Sequence, residues 1–373
     1  MKNFKEKLKV VDWHLVAIVL ITKFLILFLS FQAYQAIVNT PTNSWNDFLG
    51  IWRRWDAIHY LDIAQGGYIT DGDRKYDLAF FPFYPLLTRI AGFLVGNYVI
   101  GGIVVSGIFS LVAAYFLKKI TLLDYSKETA LSAVFFLFIF PTSYFLHIPY
   151  TESLFLALSV GAFYFARQGS WFWCGIFGQF ACLTRINGVF LVPALLFEIF
   201  YEYRATKSFN RKWLWLSLMP TGFLGYLFVN YYVTGNAFTF LIYQREHWFK
   251  NLDVPWKGII ETFRSFLYRS PGESMTTGFQ ELLFSGVGFL ATVFSWFKQR
   301  KSYSVWMTLN WTLFVSTSFI LSVPRYTLIL FPMFIAFAYL SEKNYSFKVL
   351  ITVWSILYLG LFTALFASGR WAF

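Results

Sequence analysis

Residues 51–85 read IWRRWDAIHYLDIAQGGYITDGDRKYDLAFFPFYP. This is the first long hydrophilic segment of an otherwise apolar chain. It gathers carboxylates, arginines, a histidine and tryptophans within 35 positions. Tryptophans concentrate where water meets lipid. An aspartate presented at that boundary is placed for acid–base chemistry on a lipid-borne substrate.

The rest of the chain supplies the membrane. Of 373 residues, 57% are hydrophobic, 23% aromatic and only 13% charged. Soluble domains carry roughly 25% charged residues, so lipid is the solvent for most of this surface. The apolar segments run from end to end, which indicates a single polytopic membrane domain, 1–373. The net charge of +12 would suggest nucleic acid in a soluble chain. Here the bases cluster between apolar runs, a pattern of cytoplasmic anchoring that excludes a nucleic-acid partner. Cys174 and Cys182 lie in one apolar stretch without metal or redox spacing and read as buried thiols. The run 13–31 is long and lacks a small-residue cleavage site, so it reads as a retained first helix.

Eleven candidate spans fall near 13–32, 97–117, 129–146, 150–166, 171–185, 188–203, 213–233, 279–297, 303–322, 325–341 and 348–368. An all-α integral membrane bundle is therefore expected. Lys2, Lys5, Lys7 and Lys9 precede the first span, and Lys118, Lys119 and Lys127 follow the second. Arg204, Lys207, Arg211 and Lys212 follow the sixth, Lys298, Arg300 and Lys301 the eighth, and Lys343 and Lys348 the tenth. With eleven spans all these clusters share one side, which the positive-inside rule makes the cytoplasm. The amino terminus is then cytoplasmic, and loops 33–96 and 234–278 are exterior. Apolar residues at Trp45, Phe48, Leu49, Trp52, Trp55 and Ile58 suit a helix lying in the interface, as do 240–249 and 256–267. The pairs Gly175/Gly178 and Gly222/Gly225, with Gly101, Gly102 and Gly107, read as close helix contacts.

Polar residues gather on the exterior side: His59, His147, His247, Asp56, Asp62, Asp71, Asp73, Asp77, Glu152, Arg185 and Arg325. Asp56 and His59 are three apart and share a helix face, with Tyr60 beside them. Partial desolvation of Asp56 would raise its basicity and suit a general base. The structural alternative is an ion pair with Arg53 or Arg54 that orients the helix. Glu152 opens the fourth span, either favouring the helix N-terminus or binding an acceptor, and Thr151 or Thr142 offers a cap. Arg185 and Arg325 stand at the lip of a bundle with few exterior bases. Phosphate is the natural partner for such a guanidinium; interfacial snorkelling is the alternative. Lys23 is a mid-span lysine, a functional flag by default, or a group paired within the bundle.

These motifs resemble a known family. Trp55-Asp56-Ala57-Ile58-His59-Tyr60, Ile63-Ala64-Gln65-Gly66-Gly67-Tyr68 and Ala79-Phe80-Phe81-Pro82-Phe83-Tyr84-Pro85 are similar to the first-loop pattern of PIG-V-type mannosyltransferases. Pro149-Tyr150-Thr151-Glu152-Ser153, Leu183-Thr184-Arg185-Ile186-Asn187-Gly188 and Pro324-Arg325-Tyr326 resemble the family's later motifs, in order. The resemblance implies the GT-C fold and transfer of a sugar, mannose in this family, from a polyprenyl-phosphate donor to a lipid-linked or glycolipid hydroxyl. The reaction would lie on the exterior face of the cell membrane, or in the endoplasmic reticulum of a eukaryote. It maps the catalytic carboxylate to Asp56; substrate-binding roles are expected of Arg54, His59, Tyr60, Tyr150, Glu152, Arg185, Asn187, Arg325 and Tyr326. A paired second acid is not adjacent to Asp56; the nearest, Asp62, is six positions on.

A sugar on a lipid phosphate already carries a good leaving group. It needs a base for the incoming hydroxyl and positive charge on the departing phosphate. No cofactor is required; carboxylates are plentiful enough for a divalent metal, but nothing demands one. Two other readings remain: a transporter or lipid flippase, whose site would sit at mid-membrane among repeats, and another lipid-linked glycan ligase or polymerase.

Overall fold

The computed structural model describes residues 12–38 and 44–371. The basic cluster at Lys2, Lys5, Lys7 and Lys9 lies outside the described residues, so its expected placement has no structural counterpart here.

Helices dominate. Leaving aside 3-10 and π segments and a three-residue turn at Pro271–Glu273, they are in chain order α1 (Trp13–Val38), α2 (Trp45–Gly50), α3 (Asp56–Gly66), α4 (Phe83–Val95), α5 (Tyr98–Thr121), α6 (Lys127–Ile139), α7 (Glu152–Arg167), α8 (Trp171–Thr184), α9 (Leu191–Thr206) and α10 (Leu218–Thr234). There follow α11 (Thr239–Trp248), α12 (Pro255–Tyr268), α13 (Gln280–Lys298), α14 (Lys301–Val315), α15 (Val323–Tyr326), α16 (Phe331–Lys343) and α17 (Tyr345–Ala367). Local chemistry sets several ends. Asn97 accepts from the amides of Val99 and Ile100 to start α5, and Lys118 and Lys119 lie in its last turn, where cations oppose the dipole. Ser126 caps α6, which stops at Phe140, the residue before a proline.

Among the described residues, five helical segments are long and apolar enough to cross a bilayer: Trp13–Val38, Tyr98–Thr121, Ile186–Thr206, Pro271–Lys298 and Tyr345–Ala367. Two bent pairs raise this to seven: Asp73–Ala79 with Phe83–Val95, bent by 114°, and Val323–Ile329 with Phe331–Lys343, bent by 79°. The eleven expected spans are thus not matched one for one. Helices such as α6, α7 and α8 have 13, 16 and 14 residues, short of the roughly 20 that a bilayer needs. Protein covers α7 almost fully and α6 for the most part, and one side of α8: α6 packs on α16, α5 on α7, α7 on α8, and α8 on α10. The expected close approach of glycines is present at that last contact. A side chain on Gly222 would run into the carbonyl of Gln179. The lipid-facing rim keeps apolar side chains exposed, among them Phe24, Phe93, Phe228, Leu290 and Leu357.

The two ends of the bundle differ. One end joins Asp12 to Lys118, Asp124 to Arg167, and Glu198 to Arg300. Glu342 accepts there from Ser126 and Thr129. The opposite end carries Asp56, Glu152, Arg185 and Arg325. Lys23 donates to the carbonyl of Ile103 at 3.1 Å, so it is paired within the bundle. His147 is fully buried, 3.5 Å from Thr22 Oγ1, rather than at the surface.

The amphipathic segment after α1 departs from its sequence reading. The stripe from Trp45 to Ile58 is broken between Gly50 and Asp56, where Trp55 turns the chain at φ 51°. Trp45 is exposed as an interfacial residue would be, but Leu49 and Trp52 are buried, Trp52 stacking on Phe366. Tertiary packing against the carboxy-terminal helix captures part of the stripe meant for lipid.

Candidate active site

Asp56 is the first residue of α3 and lies in its acidic first turn, where a carboxylate suits the helix dipole. The preceding Trp55 holds φ 51° and ψ −132°, a region costly for any residue with a side chain. Such strain persists only when surroundings over-determine it, and here it aims Asp56 into the bundle end. Its partner there is Arg325: Nη1 donates to Asp56 Oδ2 at 2.5 Å. The expected alternatives are excluded, because Arg53 pairs with Asp62 at 2.8 Å and Arg54 Nε donates to the carbonyl of Ile51.

Arg325 sits on the short helix α15, whose entry is shaped by Ser322 at φ 70°. The amides of Ser322 and Val323 donate to the two oxygens of buried Glu281 at 2.7 and 2.8 Å. Thr142 Oγ1 donates to the carbonyl of Pro324 at 2.9 Å. The guanidinium lies 4.6 Å from the ring centre of Tyr150 and 5.0 Å from that of Phe145, a cation–π seat. Arg325 is 3% exposed, and its Nε donates to Glu152 Oε1 at 2.5 Å.

Glu152 is fully buried at the start of α7. Its Oε1 also accepts from Arg185 Nη1 at 2.6 Å, so both arginines converge on one oxygen. Among the described residues Oε2 has no hydrogen-bond partner. Thr151 makes no helix cap; it accepts from Arg185 Nη1 at 2.8 Å instead. Thr142 is likewise taken by Pro324. Arg185 adopts extended backbone between α8 and a short 3-10 turn, with its guanidinium 5.7 Å from the ring centre of Tyr326. Lys250 also approaches Tyr326, Nζ lying 3.3 Å from the phenol oxygen.

A second pair stands beside this group. His59 Nδ1 lies 2.7 Å from Asp77 Oδ1, and Arg74 Nε donates to Asp77 Oδ2 at 3.3 Å. The imidazole stacks on Phe80 at 4.6 Å. Tyr60 is buried against Phe80, Tyr84 and Tyr150, and burial pushes its phenol up to about 12. Tyr150 donates to the carbonyl of Arg54 at 3.1 Å, bracing the turn before Asp56.

Burial alone would raise the Asp56 carboxyl. The charge and hydrogen bond of Arg325, with His59 and Lys250 further out, outweigh it and hold the group below its ordinary value. The expectation of raised basicity is therefore corrected: desolvation is present, but a buried cation opposes it. The arrangement keeps Asp56 ionised, and its carboxylate, 29% exposed, remains open to a ligand.

Most residues expected from sequence come together: Asp56, His59, Tyr60, Tyr150, Glu152, Arg185, Arg325 and Tyr326. Two do not join the charged group. Arg54 turns toward Tyr34 and Gly369, and Asn187 donates to Asn310 at 2.8 Å while buried. Asp77, Lys250 and Glu281 complete the site without having been singled out. Asp77 was one acid among several in the 51–85 segment, Lys250 belongs to no motif, and Glu281 opens an apolar helix. Among the described residues no group of three His, Cys, Asp or Glu is placed to hold a metal ion.

Residues 14–257 match the model of a family described as Mannosyltransferase (PIG-V). GPI mannosyltransferase 2 of Schizosaccharomyces pombe is 32% identical over 145 residues, covering 37% of this chain and 30% of that protein. GPI alpha-1,6-mannosyltransferase 2 of Rattus norvegicus is 30% identical over 159 residues, covering 40% and 32%. The matched stretch thus spans about a third of the length of these curated relatives. The crystal structure of ArnT from Cupriavidus metallidurans bound to undecaprenyl phosphate superposes with a TM-score of 0.53 over 95% of this chain and 75% of that one, at 14% identity. That likeness is one of fold, the GT-C glycosyltransferase fold.

Proposed function

The chain belongs to the PIG-V mannosyltransferase family, and from that premise we propose that it moves mannose from a polyprenyl-phosphate donor to a hydroxyl of a lipid-linked or glycolipid acceptor. The observation that carries this reading is the convergence of Asp56, Glu152, Arg185 and Arg325 at one end of the bundle. A membrane transporter would need its charged groups along a central path, and the end-on cluster favours the enzyme. The basic clusters at the opposite end favour an exterior site, since cationic loops stay in the cytoplasm.

In this reading the acceptor oxygen attacks the anomeric carbon. The bond from that carbon to the phosphate oxygen breaks, and its electron pair leaves with the polyprenyl phosphate. The hydroxyl proton passes to Asp56. A carboxylate held below its ordinary value is a modest base, so proton transfer accompanies bond cleavage rather than preceding it. Arg325 fixes the carboxylate and, through Glu152, ties it to Arg185. Preorganised charge of this kind supplies stabilisation without rearrangement during the reaction.

The test is direct. Purified protein is incubated with polyprenyl-phosphate mannose labelled in the sugar, together with a membrane lipid extract, and the labelled products are identified. Label appearing in a glycolipid is expected. Label transferred only from a nucleotide-linked mannose, and never from the lipid phosphate, would overturn the donor assignment.

A further inference from the structure

Both arginines of the site are already held by carboxylates. Arg325 bridges Asp56 and Glu152, and Arg185 rests on Glu152. Two guanidinium groups against two carboxylates leave no net positive charge. A departing phosphate monoester carries between one and two negative charges near neutral pH. The quartet by itself does not match that charge.

Lys250 supplies the missing cation. Its Nζ lies 3.3 Å from Tyr326 Oη and 3.4 Å from the carbonyl of Leu321, and 5.2 Å from the Tyr326 ring centre. Among the described residues no carboxylate lies at ion-pair distance from it; Asp56 and Glu281 act on it only through longer-range charge, and Glu281 is already held by the amides of Ser322 and Val323. The Tyr326 ring is therefore shared, with Arg185 at 5.7 Å and Lys250 at 5.2 Å.

The backbone shows that this placement is built. Among the described residues, four non-glycine positions have positive φ: Trp55, Lys207, Phe249 and Ser322. Three of them lie one to three residues before Asp56, Lys250 and Arg325. Phe249, at φ 54°, ends α11 and turns the chain. The next residues are then clamped: Leu252 bridges Thr317, the Ser318 amide donates to the Asn251 carbonyl at 2.9 Å, and the Asp253 amide donates to the Ser316 carbonyl at 3.0 Å. Lys250 is thereby tied to the segment that leads into Arg325. Left-handed backbone at a bulky aromatic residue is unfavourable, and it recurs where geometry serves a site.

We propose that Lys250 is a catalytic cation that binds the phosphate of the lipid-linked donor and neutralises the charge it gains as the sugar leaves. The assignment rests on the phosphate-donor reading above and deepens it. The second long polar segment then contributes to the same site as the first, and Tyr326 positions the ammonium group between them.

The experiment measures binding of undecaprenyl phosphate and of uncharged undecaprenol to wild type, K250M and K250R in detergent, with thermal unfolding recorded for each. Wild type should prefer the phosphate. K250M should lose about tenfold in affinity for the phosphate, the order expected for one charged hydrogen bond, while its affinity for the alcohol stays the same. K250R should keep most of the preference. K250M binding the phosphate as tightly as wild type, or losing both ligands equally, would overturn the role of Lys250 and leave the donor reading standing. Wild type binding the alcohol as well as the phosphate would overturn both.

Discussion

Arg325 and Asp56 are 269 positions apart in the chain, yet their Nη1 and Oδ2 atoms meet at 2.5 Å. The contact decides what Asp56 can do. Unpaired, it would be a desolvated carboxylate with raised affinity for protons. Paired, it is an ionised group fixed in direction, and its work as a base depends on placement against the acceptor hydroxyl.

The first prediction is a pH dependence. The Asp56 carboxyl is held below its ordinary value of 3.8 in the folded protein. A depressed carboxylate contributes stability that is present above its unfolded value and lost as pH falls through its folded value. Between pH 8 and about pH 5, protonation of this group should reduce neither activity nor thermal stability. The pH profile of transfer checks this. An acid limb centred at about pH 6 that shifts on Arg325→Lys would assign a raised carboxyl to the pair and contradict the account.

Glu152 should be the most structurally demanding member of the site. Removing its charge leaves Arg325, 3% exposed, and Arg185 short of a partner. Breaking a buried pair costs roughly 3–5 kcal/mol, so Glu152→Leu should lower the unfolding temperature markedly. Adding Arg185→Leu should recover part of the stability but none of the activity. A double-mutant cycle is the measurement; strictly additive effects on stability would show that the two side chains do not interact.

Ser322 tests the turn that presents Arg325. At φ 70°, glycine is accommodated without strain, so Ser322→Gly should fold and transfer like wild type. Ser322→Val, with a branched side chain in left-handed backbone, should lose about 1–2 kcal/mol of stability. Thermal unfolding and transfer rate distinguish them. Equal behaviour of the two variants would mean the turn does not require this conformation.

Much of the site was legible in sequence because each motif is local. Trp55 to Tyr60, Tyr150 to Glu152, Arg185, and Arg325 with Tyr326 can be read as short strings, and the fold brings them together. Their pairing was not legible. Arg53 and Arg54 lie next to Asp56 in sequence, yet the helix break at Trp55 leaves them outside and admits Arg325. Lys250 carries no pattern around it; only the turn at Phe249 and the bridge from Leu252 to Thr317 give it meaning. The span count was limited for a different reason. Hydropathy measures apolar length, and it does not register bends of 114° and 79° or short helices covered by protein. Trp52 shows the same limit, since an apolar stripe reads alike whether lipid or Phe366 receives it.

The most direct test of the central claim is the rate of mannose transfer from polyprenyl-phosphate mannose by Asp56→Asn. The variant should fold, because Arg325 keeps its bond to Glu152 and an asparagine oxygen still accepts from it. It should bind undecaprenyl phosphate within a few-fold of wild type, while transfer falls by roughly two to four orders of magnitude, the usual worth of a general base. A folded Asp56→Asn protein that transfers mannose at close to the wild-type rate would contradict the assignment of Asp56 as the base.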